Sequence, residues 1–526
     1  FEFSIDTLGS SVHTTEVRAA GYQYKNHTGA TYTAGDGTHN AAWAGRTAVG
    51  NKVENNKLTV TGGTITTAAY GGLVKNNRLD AHGNPLPTGD AEKNTLVISG
   101  GMVANAYGAE LHTKDGNATE NTAEITGGNV GSAYGASLAA AGAAGTVDKS
   151  KVTVSGGTIN NVYGGSIESA AATGHITHSE VNIKGGNVGT VYGGKNEGAG
   201  NATGATINIT GGTIGDIYAG HAAGAGATTG NTVNLGTAAD AFAATTVGTI
   251  WGGNKADATG NTLNVNSRGA TAIDIKNFEN VNFDVAHNVS HGDTLLSLTN
   301  GAGTSIDWSK MKLKNLDAIT ASPITNRILT LLNSTNDVTF TNYDATRAKE
   351  SKRDGDYEYV LNTDNETDHA KKIDLIGYRF ANNHATYSAS LGANPEAWGG
   401  RTKVGNKVEH NELTVTGGAI TTAAYGGIAE NFEGDGHGNY KPTGDAENNT
   451  LSLEGGTAAD AYGADVRTKA GSATGNTVDL KGTAVTGNLY GGALTHTAAS
   501  GAATGNKINL YSGTVAGDVY AGFANG

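Results

Sequence analysis

Along much of this chain, apolar residues fall at every second position for three or four residues, stop at a glycine pair, and resume. Val152-Thr153-Val154 and Val181-Asn182-Ile183 are typical. Period-two alternation with β-branched residues fits one face of a pleated strand and does not fit the 3.6-residue period of a helix. After the glycine pair come an apolar residue, two small or polar residues, an apolar residue, an aromatic and two more glycines, as in Ser155–Gly165, SGGTINNVYGG. A loop of variable length, rich in Gly, Ala, Thr and Asn, leads to the next unit. The pattern predicts short strands separated by tight corners, with inserts extruded between constant strands.

The aromatic of this phrase recurs at Tyr70, Tyr107, Tyr134, Tyr163, Tyr192, Tyr218 and Trp251, at spacings of 37, 27, 29, 29, 26 and 33 residues, and again at Tyr425, Tyr462, Tyr490 and Tyr520. A strand of three or four residues is not stable alone. Stacking equivalent strands from successive units about 4.8 Å apart satisfies their backbones and lines up like residues in ladders. That is an all-β fold, a parallel β-helix or solenoid. A propeller blade needs about 40 residues and four strands, more than most of these units offer. The tyrosines are expected to form a stacked packing column, with an aromatic ligand-binding strip as the other reading. Val162 and Tyr163 cannot both point inward on a straight strand, so a bend is expected at Asn160-Asn161.

A longer repeat encloses the short one. Gly45–Gly72 and Gly400–Gly427 are identical at 24 of 28 positions, at an offset of 355 residues, and the match extends to Tyr107/Tyr462. FEF at Phe1 answers YEY at Tyr357. This predicts one module of about 356 residues followed by part of a second, cut from a longer tandem array. The expected organisation is residues 1–42, the tail of a preceding linking module; 43–270, a first β-helix; 271–397, a β-rich linking or capping module; and 398–526, an incomplete second β-helix. In 271–397 the Gly-Gly-Tyr phrase gives way to ordinary alternation and to the charged run RAKESKRDGDYEY. Short helical turns are expected near 309–320, and Thr325–Asn333 reads as strand or helix.

Composition narrows the function classes. The 526 residues include 81 Gly, 5 Pro and no Cys, and the formal net charge is −13. Glycine at twice its usual share costs chain entropy that a dense backbone hydrogen-bond network must offset. The acidic, scattered charge argues against nucleic acid or an anionic membrane as partner. Disulfides and Cys-based zinc sites are excluded. No apolar run is long enough for a membrane helix, so no membrane insertion of this segment is expected. The small-residue stretch Gly135–Gly145 reads as a flexible loop.

Units such as GNTVNLG at Gly230 and GGTIGDIYAGHAAGAGATTGNT at Gly211, followed by the NFENVNFDV…GDTLLSLTNG block, resemble the passenger regions of type V autotransporter adhesins of Gram-negative bacteria. The resemblance implies an exported, right-handed parallel β-helix displayed at the cell surface outside the outer membrane. It implies an adhesive or self-associating role, with a host or bacterial receptor, a glycan or further copies of the chain as partner.

No catalytic, cofactor or metal residues are assigned. Asp364, Glu366 and Asp368 form the densest acidic patch, but it is present in one module copy only and reads as a solvated loop. Trp43 with Arg46, repeated as Trp398 with Arg401, pairs an aromatic with a guanidinium, which suits a sugar or carboxylate but equally suits a capping contact. Ser309 and Lys312 match S-x-x-K without that class's partner motifs. Asp36-Gly37, Asp90, Asp115-Gly116-Asn117 and Asp435-Gly436-His437 offer oxygen ligands for calcium, without an EF-hand or nonapeptide pattern. Asn26-His-Thr28 and Asn117-Ala-Thr119 are formal glycosylation sequons. The expectation is a non-enzymatic adhesin or filament protein, with a polysaccharide lyase or hydrolase and a polymerised appendage as alternatives.

Overall fold

The computed structural model describes the chain apart from residues 1, 9–15, 23–24, 27, 79–85, 87, 238, 245, 256–258, 285–288, 290–291, 315–326, 344–351, 355–356, 365–366, 380–384, 404, 432–443 and 526. About 62% of residues are strand and 2% helix, so backbone order comes almost wholly from hydrogen bonds between coils. The chain forms two units: Phe1–Ile319 with Thr330–Tyr343 and Asp368–Lys372, and Thr320–Leu329 with Asp344–Thr367 and Ile373–Gly526. Each contains a parallel β-solenoid.

One coil of the first unit shows the plan. The short strand Lys151–Val154 carries the alternating triplet, Thr158–Ile167 carries the aromatic, and His175–Thr177 closes the turn. Each pairs in parallel with its equivalent one repeat away: Val152 with Val181, Tyr163 with Tyr192, Ile176 with Ala202. Val152, Val154, Ile159, Val162 and Ile176 are all essentially inaccessible to solvent. The core is therefore a column of aliphatic residues. The second unit repeats the plan, with Leu413 over Leu451 over Val478 and Val415 over Leu453 over Leu480.

The two glycine pairs of the phrase do different work. Gly157 has φ 87°, and a Cβ there would lie 2.7 Å from the carbonyl oxygen of Gly128. Gly164, after the tyrosine, has no positive φ, but its Cβ would lie 2.4 Å from the oxygen of Gly193. The first pair turns the chain; the second lets neighbouring coils approach.

An interior asparagine ladder ties the coils together at a third corner. Asn56 Nδ2 donates to Asn94 Oδ1 at 2.8 Å, and Asn94 Nδ2 donates to Asn121 Oδ1 at 3.0 Å. In the second unit Asn411, Asn449, Asn476 and Asn506 repeat this at 2.9, 3.0 and 2.9 Å. The residue before each of these asparagines has a left-handed backbone: Asn55, Lys93 and Glu120 have φ of 57, 54 and 56°, and Gly475 has φ 67°. That conformation aims the following amide along the axis. The ladder is interrupted at Ser150 and Ser179, which are also fully buried.

The parallel ladder outlasts the Gly-Gly-aromatic phrase. Thr262–Val265 pairs with Asn280–Asp284, which pairs with Lys312–Lys314. Phe283, 0% exposed, fills the core position held by Val265 one coil earlier. Antiparallel hairpins occur where FEF and YEY stand: Glu2–Leu8 pairs with Glu16–Tyr22, and Tyr357–Thr363 with the chain from Ile373 to Arg379. Arg347, Lys349 and Glu350 of the charged run lie outside the described residues; Lys352–Asp354 is a short strand. Of the short helical turns expected near 309–320, the described residues hold one 3₁₀ turn, Trp308–Lys310, while 315–320 lie outside them; Arg327–Thr341 is strand. The Gly135–Gly145 stretch differs from its reading as a flexible loop. Its first residues end the strand Asn129–Leu138, and Ala143 is completely buried in the core, because small side chains fit where coils lie closest.

Replacing Asn94 by Ala removes two side-chain donations and leaves its neighbours' buried groups unpaired. The expected loss is about 3 kcal/mol, read as a lower urea midpoint. Gly135→Ala, whose Cβ would meet the Gly164 oxygen at 2.4 Å, is expected to lower the midpoint as well.

Candidate functional site

The aromatic positions of the phrase are in register, and their rings stack. In the first unit the centroids are 5.4 Å apart from Tyr70 to Tyr107, then 4.5, 4.6, 5.1, 5.2 and 4.4 Å through Tyr134, Tyr163, Tyr192 and Tyr218 to Trp251, with planes within 12° of parallel. In the second, Tyr425, Tyr462, Tyr490 and Tyr520 stack at 5.2, 4.5 and 5.3 Å. Coils repeating about every 4.8 Å place rings close to their own stacking distance. Val162 enters the core while Tyr163 beside it joins a separate aromatic cluster. Ile159 and Val162, three residues apart, are both buried, an odd spacing that breaks the strand's alternation at Asn160-Asn161, where the bend was expected. Tyr70, Tyr107, Tyr134 and Tyr163 are 7–9% exposed. Ring faces already occupied by neighbouring rings cannot also hold a sugar, so the column is a packing ladder along its length.

Three residues past each ring runs a strip in the same register: Arg46, Leu73, Glu110, Ser137, Ser166, Lys195 and His221. Glu110, 7% exposed, contacts His112 at 2.8 Å. Lys195 lies 5.8 and 5.5 Å from the centres of Tyr163 and Tyr192 and pairs with Glu197 at 2.6 Å. Ser137 donates to Glu168 in a partly buried contact at 3.2 Å. Burial and the nearby Glu110 carboxylate raise the pKa of Glu168.

The second unit's strip starts differently. Arg401 donates to Glu430 at 2.6 and 2.9 Å and to Glu396 at 3.4 Å. Arg467 donates to Glu430 at 2.6 Å, to Asp465 at 2.8 Å and to the Tyr425 hydroxyl at 2.8 Å. Glu430 and Asp465 have side chains only 3% and 2% exposed, and each is matched by a guanidinium, as buried carboxylates require. Burial pushes Tyr425 up to about 12 and raises Tyr462 further, with Asp465 adding to both.

The other residues singled out in the sequence are dispersed. Arg46 lies over the Trp43 ring at 5.0 Å, whereas Arg401 is held by carboxylates. Asp364 and Asp368 are exposed; Asp368 contacts His369 at 2.9 Å, and Glu366 lies outside the described residues. Ser309 Oγ donates to Asp307 at 2.7 Å, while Lys312 is exposed on a strand. Asp36 accepts from Thr33 Oγ1 at 3.0 Å. Asp90 accepts from the Asn117 amide at 2.8 Å, and Asn117 accepts from Thr146 at 2.9 Å, so both cap turns. Asp115 is exposed. Asp435, Gly436 and His437 lie outside the described residues, as does the side chain of Asn26. Among the described residues, no three His, Cys, Asp or Glu side chains converge as a metal site would need. No helix is long and apolar enough to cross a membrane, which says nothing of β-barrel spans.

The sequence reading missed the asparagine ladder and the polar strip. The ladder had a signal: Asn-Thr immediately precedes the alternating strand at Asn94, Asn121, Asn231, Asn261, Asn449 and Asn476. The strip had none, because its residue types change from coil to coil.

The fold places this chain among parallel β-solenoid proteins. Compared with protein-family models, curated proteins and solved structures, it matches none.

Tyrosine ionisation tests the column. A phenol whose folded pKa is raised contributes stability that is complete below its unfolded pKa and is lost as pH rises toward the folded value. Tyr425 is raised from 10.0 to about 12. The second unit is therefore expected to lose stability between pH 10 and 12, with phenolate absorbance of Tyr425, compared between the chain and its Tyr425→Phe variant, appearing above the range of free tyrosine. Ionisation of Tyr425 near pH 10, as in free tyrosine, would contradict the buried stack.

Proposed function

We propose that this chain is part of an extracellular, surface-displayed adhesive or structural protein, acting by repeated weak contacts and not by catalysis. The observation that carries this reading is the register of the outward side chains. Asn208, Asn234 and Asn264 form a half-exposed column that continues into the buried Asn182 and Asn282 at its two ends, each asparagine linked to the next at 2.7–2.9 Å. Thr206, Thr232 and Thr262 run beside them. A contact made with one coil is available again about 4.8 Å further along, so weak binding to a repetitive partner gains by multivalency. Suitable partners are a glycan, a surface receptor or the same face of another copy.

Two further points support the reading. A cysteine-free chain whose contacts lie mainly between neighbouring coils suits export in an unfolded state. The most buried carboxylates near the aromatic columns, Glu110, Glu430 and Asp465, are engaged by His112, Arg401 and Arg467, as structural acids are. The likeness to autotransporter passengers points the same way, toward display at a Gram-negative surface.

Display of the chain on a non-aggregating Gram-negative host is expected to cause cell clumping or attachment to glycan- or matrix-coated beads. Purified protein is expected to release no reducing sugar from a polysaccharide panel. Sugar release abolished by Glu110→Gln or Glu168→Gln would replace this reading with the hydrolase.

A further inference from the structure

The two module copies act as a comparison within one molecule. In the second unit, Arg401 is neutralised by Glu430 and Glu396. At the same module positions in the first unit, 355 residues earlier, Arg46 is retained, but Glu430 is replaced by Lys75 and Glu396 by Ala41. The backbone frame is the same: the Lys75 amide donates to the Thr47 oxygen at 3.0 Å, as the Glu430 amide donates to that of Thr402 at 2.9 Å. Both carboxylates that serve Arg401 are thus missing around Arg46, and a second cation stands in place of one of them.

Among the described residues of the first unit, none supplies a compensating carboxylate to Arg46. Arg46 is half-buried on the Trp43 ring, its Nε is buried without a hydrogen-bond partner, and among the described residues neither Arg46 nor Lys75 has an ion pair. A half-buried guanidinium with an unmet donor is costly to leave unpaired. Stacking on Trp43 orients it but does not satisfy its N–H groups.

We propose that Arg46 and Lys75 form a binding site for the carboxylate of an external ligand, which takes the place that the Glu430 carboxylate occupies in the second unit. Arg46 supplies directed N–H donors suited to a planar carboxylate, and Lys75 adds a second positive charge. An acidic sugar and a peptide carboxylate share this chemistry. The site is independent of the adhesive role proposed above, since attachment through the asparagine and threonine columns does not involve it.

The test is calorimetric titration of the whole chain at low ionic strength with glucuronate and N-acetylalanine, and with glucose and N-acetylalaninamide as uncharged counterparts. Carboxylate probes are expected to bind and the uncharged ones not; binding by only one acid identifies the source. Arg46→Gln is expected to weaken binding by about tenfold or more, the size of a lost charge-assisted hydrogen bond. Lys75→Glu is expected to abolish binding while leaving the urea midpoint equal or higher, because the new carboxylate fills the site as Glu430 does. Absence of binding by both acids, or unchanged binding in Lys75→Glu, would overturn the proposal.

Discussion

The parallel backbone ladder between equivalent coils is the constraint on which every other feature depends. A strand such as Lys151–Val154 has no partner within its own coil. It is held only because Thr122–Ile125 and the chain from Glu180 lie on either side in register. Register then decides everything about side chains. Valine falls on valine, tyrosine on tyrosine and asparagine on asparagine, so one choice of residue is multiplied along the axis. A shift of a single residue would carry the core column to the surface and break all the ladders together.

The ladders stabilise the solenoid in different ways. The aliphatic column removes apolar area from water. The asparagine ladder gives the corner a hydrogen-bond partner within the protein, where a buried amide would otherwise go unsatisfied. The aromatic column covers the outer face of the coil at the bend beside Val162. Glycines such as Gly164 permit the approach that all three need. The same repetition makes exceptions conspicuous. Where Lys75 stands in the place of Glu430, the Arg46 guanidinium loses a partner that its counterpart Arg401 keeps.

Much of this was legible in the sequence, because the repeat is written in residue types that geometry demands. The alternating triplets gave the short strands, the tyrosine phrase gave the coil, and the adjacent Val162 and Tyr163 required a bend that the structure has. The asparagine ladder was legible but overlooked, since Asn-Thr before each strand looks like loop composition until the coils are stacked. Other parts could not be read. The coils beyond Trp251 keep their pairing but abandon the phrase, with Phe283 in place of an aliphatic residue and no glycine pair to mark the turn. Likewise, the one local carboxylate difference, Ala41 against Glu396, does not reveal that Arg46 lacks the closer partner that Arg401 has. That closer partner differs at positions 75 and 430, which are remote in sequence and meet the arginines only across a coil.

The stacking of like on like can be tested directly, because the chain has no cysteine. Thr95 pairs with Thr122, and Thr122 with Lys151, in adjacent coils. Cysteines at 95 and 122 would have Cα atoms about 4.8 Å apart, within disulfide reach, and cysteines at 95 and 151 roughly twice that, beyond it. The account predicts rapid oxidation of the Thr95→Cys/Thr122→Cys pair and none within the monomer for Thr95→Cys/Lys151→Cys. Equal cross-linking of both pairs, or of neither, would contradict an in-register solenoid.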